Sequence, residues 1–178
     1  LLLAAQGARV VVNDLGGSMD GTGSDTGPAH DVVDEITTQG GQAVANTDDV
    51  SDFAGAEKLI GTAIEAFGRL DVLVNNAGIL RDRMLVNMSE DEWDDVVRVH
   101  MKGHFCTTHF AGVHWREQTK RTGEPCDAAI VNTSSGAGVA SPAGVVRAWT
   151  ASPVRVSGTR TAWAARSSWC AQAAIQKP

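Results

Sequence analysis

The chain has 178 residues, 43% of them hydrophobic and 20% charged, with a net charge of -6, which is enough apolar material for the core of one ordinary globular domain. No run reaches the roughly 18 consecutive apolar residues of a membrane helix, and Leu1 to Ala5 lacks the length and basic flank of a signal peptide, so the expectation is a soluble, cytoplasmic protein. Cys106, Cys126 and Cys170 are odd in number and share no paired spacing, which gives a disulfide framework or a zinc knuckle little support.

Leu1 to Gly7 reads as the last two turns of a helix whose beginning is absent, with Gly7 placed for a left-handed cap. Ala8 to Asn13 is a strand rich in β-branched residues, closed by Asp14-Leu15-Gly16-Gly17. Ser18 to Pro28 reads as a loop. Val32, Val33 and Ile36 then fall at helical spacing between His30 and Gln39, and Gly40-Gly41 ends that helix. Gln42 to Asn46 is a short strand. Ser51 is placed to cap the next helix, whose apolar stripe is Phe53, Ala56, Leu59, Ile60, Ala63, Ile64 and Phe67, with Gly68 at its end.

Leu70 to Leu80, LDVLVNNAGIL, is the stretch around which the rest is arranged. Val72, Leu73 and Val74 are too short a run for a helix, and Asn75-Asn76-Ala77-Gly78 stops them in a tight turn. A strand buried on both faces ends in this way at the ligand crevice of a parallel sheet. Ser89 to Trp93 opens with a cap and acidic first-turn residues, starting a helix expected to run to about Gln118. Ala128 to Thr133 is a further buried strand, running into Ser134-Ser135-Gly136.

Alternation of this kind implies an α/β fold, a doubly wound parallel sheet with helices on both faces. After Gly138 the pattern fails. All 21 acidic side chains lie before Ala128, and the charged groups beyond it are Arg147, Arg155, Arg160, Arg166 and Lys177. Three of the five Trp fall in the same region, and no period of 2 or 3.6 persists. Residues 1–138 are therefore expected to form a partial dinucleotide-binding domain and 139–178 an irregular tail, with a changed reading frame as the explanation the composition suggests.

Val10-Val11-Val12-Asn13-Asp14, Asp49-Val50, Asn75-Asn76-Ala77-Gly78 and Asn132-Thr133-Ser134-Ser135, in this order and at these separations, resemble the short-chain dehydrogenase/reductase family. More narrowly, NDLGG at 13–17, NNAGILRDR at 75–83 and RVHMKGHF at 98–105 resemble the 3-hydroxyacyl-CoA dehydrogenase module of peroxisomal multifunctional β-oxidation enzymes and its bacterial relatives. The likeness spans about Leu1 to Gly138, and NNAGILRDR is its specific part. It implies an incomplete Rossmann-like sheet, because the family's first strand and its TGxxxGxG turn would lie before Leu1; the missing start suggests a fragment. That strand belongs in the middle of the sheet, so its loss is expected to expose hydrogen-bonding edges or to force the Ala8 and Leu70 strands together.

The resemblance implies NAD as cofactor. Asp14, with Leu15 beside it, would accept the ribose hydroxyls and repel the extra phosphate of NADP. Asp49 and Val50 would border the adenine, and Asn76, Ala77 and Gly78 would let backbone approach the cofactor. Structural readings stand beside these: a turn-forming Asp14, a helix-leading turn at Asp48-Asp49, and a plain strand-ending turn after Asn75. Ser135 occupies the position of the catalytic serine. His100 falls where the broader family carries a helix Asn and the hydroxyacyl-CoA branch reads Val-His. His100, His104 and Cys106 lack a paired third ligand and the Glu of H-E-x-x-H, so no metal is expected. His104, His109 and His114 read most simply as surface or packing residues.

The family's Tyr-x-x-x-Lys would fall at 148 and 152, where this sequence has Ala148 and Ser152, and it contains no Tyr. The expectation is a piece of an NAD-dependent oxidoreductase acting on a secondary alcohol such as a 3-hydroxyacyl thioester, itself without meaningful activity. A non-catalytic nucleotide-binding or assembly relative is the alternative. A small-molecule substrate is the expected partner, and intact relatives are expected to be homo-oligomers. Nucleic acid is not expected, because the five late cations form neither a basic helix nor a stacking platform.

Overall fold

The computed structural model describes residues 1–16 and 27–134 and, by their backbone, residues 172–176. In chain order the elements are α1 (Leu2–Ala5), β1 (Arg9–Asn13), α2 (Gly27–Thr38), β2 (Gln42–Asn46), α3 (Phe53–Phe67), β3 (Val72–Asn75), α4 (Glu90–Val97), α5 (Gly103–Thr122), β4 (Ala129–Asn132) and β5 (Gln172–Gln176). The strands form one sheet in the order β2-β1-β5-β3-β4. Pairing is parallel between β1 and β2 and between β3 and β4, while β5 is antiparallel to both β1 and β3. All four strands other than β5 therefore point the same way, and their carboxyl ends share one edge.

The period of 2 in β1 divides the core into two layers. Val10 and Val12 pack with Ala4, Ala29 and Ile36 of α1 and α2 on one face. Val11 packs with Leu59, Ile60, Leu73 and Ala111 on the other, under α3 and α5. Helices on both faces make the sheet doubly wound, as the alternation implies. Truncating Leu59, fully buried in this layer, belongs to the class of changes that cost about 2–5 kcal/mol.

Local chemistry sets the ends. α3 is closed by Gly68 at φ 79°, whose N–H donates to the Ile64 carbonyl. Its N-cap is Asp52 rather than the expected Ser51: the Asp52 carboxylate accepts the Gly55 N–H, while Ser51 is drawn back to Asp49. Ser89 and Glu92 form a reciprocal capping box at α4. The long helix expected to reach about Gln118 is two helices, ending at Thr122, with Arg98–Lys102 wound as a π turn between them.

The middle of the sheet departs from the sequence reading. The edges of β1 and β3 are neither left open nor brought together, because β5, within the stretch read as an irregular tail, lies between them. Its sequence, QAAIQ, carries no strand signal of its own. Pairing on both sides, not intrinsic propensity, makes it a strand.

Candidate functional site at the carboxyl edge of the sheet

Each of the four parallel strands ends in asparagine, and the register sets these residues side by side: Asn13 opposite Asn46, and Asn75 opposite Asn132. Asn13 Nδ2 donates to Asn46 Oδ1 at 2.7 Å and to the Asp48 carbonyl at 2.9 Å. Asn75 Nδ2 donates to Asn132 Oδ1 at 2.9 Å and to Thr108 Oγ1 at 3.1 Å, while its Oδ1 accepts Thr107 Oγ1 at 2.8 Å. One residue further on, Thr133 Oγ1 donates to Asn76 Oδ1 at 2.7 Å. These side-chain bonds continue the sheet beyond its backbone ladder and fix where the chain turns away. The signal for this ladder in the sequence is the recurrence of VVVN, VAN, VLVN and IVN, an asparagine closing each apolar run.

Asp14 stands at the tip of β1, 7% exposed, with its N–H on the Asn46 carbonyl. Its Oδ1 accepts the Gly16 N–H at 2.8 Å, closing a small turn, and Gly16 has φ 74°. Leu15 beside it is 41% exposed. Asp49 builds the next turn. Its Oδ1 accepts both the N–H and the Oγ of Ser51, and its Oδ2 receives Arg98 at 3.2 Å. The Arg98 guanidinium also reaches Ser51 Oγ at 2.6 Å. A Cβ at Gly55 would collide with the Asp49 carbonyl oxygen, and Val50 is buried against Gly103. These contacts fix the pair in the turn that leads into α3, at the carboxyl edge of the sheet beside β2.

Ala77 and Gly78 are buried directly after β3, with Asn76 half-buried before them. The crowding at Gly78 comes from His100: a Cβ there would lie 2.5 Å from His100 Cε1. His100 belongs to the π turn, and its Nε2 lies 3.1 Å from the Ile79 nitrogen and 2.9 Å from the Ile79 oxygen. One tautomer accepts the Ile79 N–H, and the other donates to the Ile79 carbonyl. Four residues on, His104 reaches the Ala77 backbone, and burial, reinforced by the nearby His100, pushes its pKa down. His100 therefore braces the turn from the helix side, while His104 lies beneath it with its Nε2 buried and without a hydrogen-bond partner among the described residues. His100 was expected near the site; His104 was not, although its i+4 spacing from His100 was the available signal. His109 is instead a packing residue, 5.3 Å from the Phe53 ring.

Asp14, Leu15, Asn76, Ala77 and Gly78 thus lie along one edge of the sheet, at the ends of strands separated by β5. Ser135 lies outside the described residues, as do Ala148 and Ser152; its neighbour Ser134 lies just beyond β4 on that same edge. Among the described residues no helix is long and apolar enough to cross a membrane.

The sequence model of the short chain dehydrogenase family matches residues 2–166. A hydroxyacyl-CoA dehydrogenase of Mycobacterium tuberculosis is 46% identical over 147 residues, covering 80% of this chain and 44% of that protein. Peroxisomal multifunctional enzyme type 2 of Drosophila melanogaster is 50% identical over 139 residues, 78% of this chain and 22% of the relative. Among solved structures, a short chain dehydrogenase from Mycobacterium avium superposes with a TM-score of 0.69 at 55% identity, covering 77% of this chain and 49% of that one. An NADH-dependent reductase described as responsible for alginate metabolism superposes with a TM-score of 0.57 at 25% identity, over 72% of this chain and 48% of the reductase. The chain spans less than half the length of each of these proteins.

Proposed function

Because the chain belongs to the short-chain dehydrogenase family, we propose that its sheet edge is the adenosine side of an NAD site in a cytoplasmic oxidoreductase. That oxidoreductase interconverts a secondary alcohol, a 3-hydroxyacyl thioester or similar, with a ketone. The observation that carries this reading is the Asp14 carboxylate at the tip of β1, nine-tenths buried and on the same edge as Asn76-Ala77-Gly78. One carboxylate oxygen closes the Gly16 turn, and the other is placed to accept ribose hydroxyls; the fixed negative charge disfavours a 2′-phosphate.

The described residues fit the adenosine half better than the pyrophosphate. β5 runs antiparallel to its neighbours, so the central strand position begins at this edge instead of ending there in a glycine turn and helix N-terminus. The bound cofactor would supply the hydride acceptor. The chain's own share is to seat the ribose on Asp14, to hold the Ala77-Gly78 backbone against the cofactor, and to brace the following Ile79 with His100. Ser135 would hold the substrate oxygen.

Proton transfer is what this chain lacks. With Ala148 and Ser152 where the family places Tyr and Lys, no phenol relays a proton to the substrate oxygen, a contribution worth about 10²–10⁴ in rate. The 178-residue chain is therefore a non-turning member of its family. In saturation-transfer NMR, 5′-AMP is expected to contact the protein weakly and 2′,5′-ADP less, with Asp14→Asn erasing the difference. Equal binding of both nucleotides by the unaltered protein would refute the ribose seat. Ordinary turnover with NAD and a 3-hydroxyacyl-CoA would refute the inactivity. Tight NAD binding in calorimetry, without turnover, would instead identify a non-catalytic nucleotide-binding relative.

A further inference from the structure

Arg98–Lys102 joins α4 to α5 as a π turn, closed by the Gly103 N–H on the Arg98 carbonyl. Bonds of this kind, between positions five apart, are rare and gather at functional sites. In an α-helix, at 3.6 residues per turn, such positions point about 140° away from each other. The π bond stacks them instead, so Arg98 and Gly103 face the same neighbour, the Asp49–Ser51 turn that leads into α3. Arg98 Nη1 donates to Ser51 Oγ at 2.6 Å and to Asp49 Oδ2 at 3.2 Å. A Cβ on Gly103 would lie 3.2 Å from Val50 Cγ2 and 3.8 Å from the Ser51 nitrogen.

His100, two residues after Arg98, leaves the helix on nearly the opposite side and lies against Gly78 and Ile79. A second path runs beside it: Asp95 in α4 pairs with Arg81 at 2.9 Å through one oxygen and stands 3.7 Å from Arg98 through the other. The two turns gripped in this way belong to halves of the sheet that β5 separates. Asn13, one residue before Asp14, donates to the Asp48 carbonyl on one side, and Ile79 follows β3 on the other. Partly exposed ion pairs are weak singly, but Ser51 is buried, and its hydroxyl also donates to Asp49 Oδ1 at 2.6 Å.

We propose that Arg98 is a positioning residue for the carboxyl edge: through the π turn it ties the Asp49–Ser51 turn to the Gly78–Ile79 turn, so that a displacement of either is felt at the other. A ligand that touches both halves binds well only where their separation is held to about half an ångström. The benefit to a nucleotide rests on the reading of this edge as an NAD site, whereas the link between the turns stands on the protein's own contacts.

The test is amide exchange, followed by NMR on the ligand-free full chain. In Arg98→Met, the Ser51 amide, which donates to Asp49, and the Ile79 amide, which Arg98 does not touch, should exchange about threefold faster or more relative to Leu73. Leu73 lies in the middle of the sheet, paired on both sides, and reports global opening. Arg98→Lys should restore both amides, because a single nitrogen makes both contacts. In the reverse direction, His100→Ala should speed the Ser51 amide about twofold or more. Unchanged Ile79 exchange in Arg98→Met, or an equal rise at Ile79 and Leu73, would overturn the proposal. Binding of 5′-AMP should weaken about threefold in Arg98→Met and recover in Arg98→Lys; equal affinity in all three proteins would overturn the benefit to the nucleotide. If the unaltered protein binds no 5′-AMP, the NAD reading fails, and the exchange rates still decide the link.

Discussion

The two halves of the sheet edge are built from the same device and tied down differently. On the β1–β2 side the Asn13–Asn46 pair faces an acidic turn: Asn46 Nδ2 donates to Asp48 Oδ2 at 2.8 Å, and Lys58 and Arg98 stand against Asp48 and Asp49 at 3.9 and 3.2 Å. On the β3–β4 side the Asn75–Asn132 pair is locked to α5 by the neutral hydroxyls of Thr107 and Thr108, and the turn beyond it by His100. Both asparagines of the first pair are buried, and Asn46 Oδ1 keeps a second donor in the Asp48 N–H. In the second pair Asn75 is fully buried and Asn132 half-buried, and Asn75 joins Asn132 to Thr107 and Thr108 of α5. The partners that depend on one side chain, more than its burial, separate the two halves.

The largest separation of the halves should come from Asn75→Ala against Asn13→Ala. Asn75 is 0% exposed, and its removal takes the amide donor from Asn132 Oδ1 and opens a cavity beside Thr107, a loss of about 2–3 kcal/mol. Asn13→Ala should lose only about 1 kcal/mol, because Asn46 Oδ1 still accepts the Asp48 N–H. Urea midpoints of the two variants measure the difference, and equal losses would mean that the second donor on Asn46 Oδ1 compensates for nothing.

Gly78→Ala should cost somewhat less, about 1–2 kcal/mol, by driving a methyl group into the His100 ring. If that contact is the cause, His100→Ala relieves it, and the double-mutant cycle shows a coupling of about 1 kcal/mol. Additive losses would mean that Gly78 is required for another reason, such as the approach of a ligand.

The smallest effect is the dependence on pH. Burial lowers the pKa of His104 below its ordinary 6.5, and burial, aided by Arg121, lowers that of His114 in the same helix. The unfolded chain then takes up protons at a higher pH than the folded one, so stability is intact above about pH 6.5 and falls as the pH drops through and below it. Denaturant midpoints between pH 7.5 and 5.5 should decline, and more gently in His104→Gln. An unchanged slope in that variant would remove His104 from the account.

Much of this was legible in the residues. The apolar stripe of α3 is seen as expected at Ala56, Leu59, Ile60 and Ala63, and Phe53 departs from it because its ring lies with Phe105, His109 and Phe110 at a partly exposed face. Asp14 and Asn76-Ala77-Gly78 were readable as strand tips, since a run of Val and Leu stopped by small polar residues shows where a strand ends. The grip of His100 on Ile79 was not, because it joins positions on separate elements that no local period connects. The partners of Asp49 were equally out of reach: that Ser51 and Arg98 engage its two oxygens follows from contacts made only in the folded chain.

Elements and their order follow from short-range chemistry: alternation in β1, the stripe in α3, the capping box at Ser89. Such signals act within a few residues, so they survive in a bare string of letters. What occupies the centre of the sheet was settled only in three dimensions. β1 and β3 each present a row of backbone donors and acceptors inside an apolar sandwich, where leaving them unpaired is costly, and β5 satisfies both rows whatever its own preference.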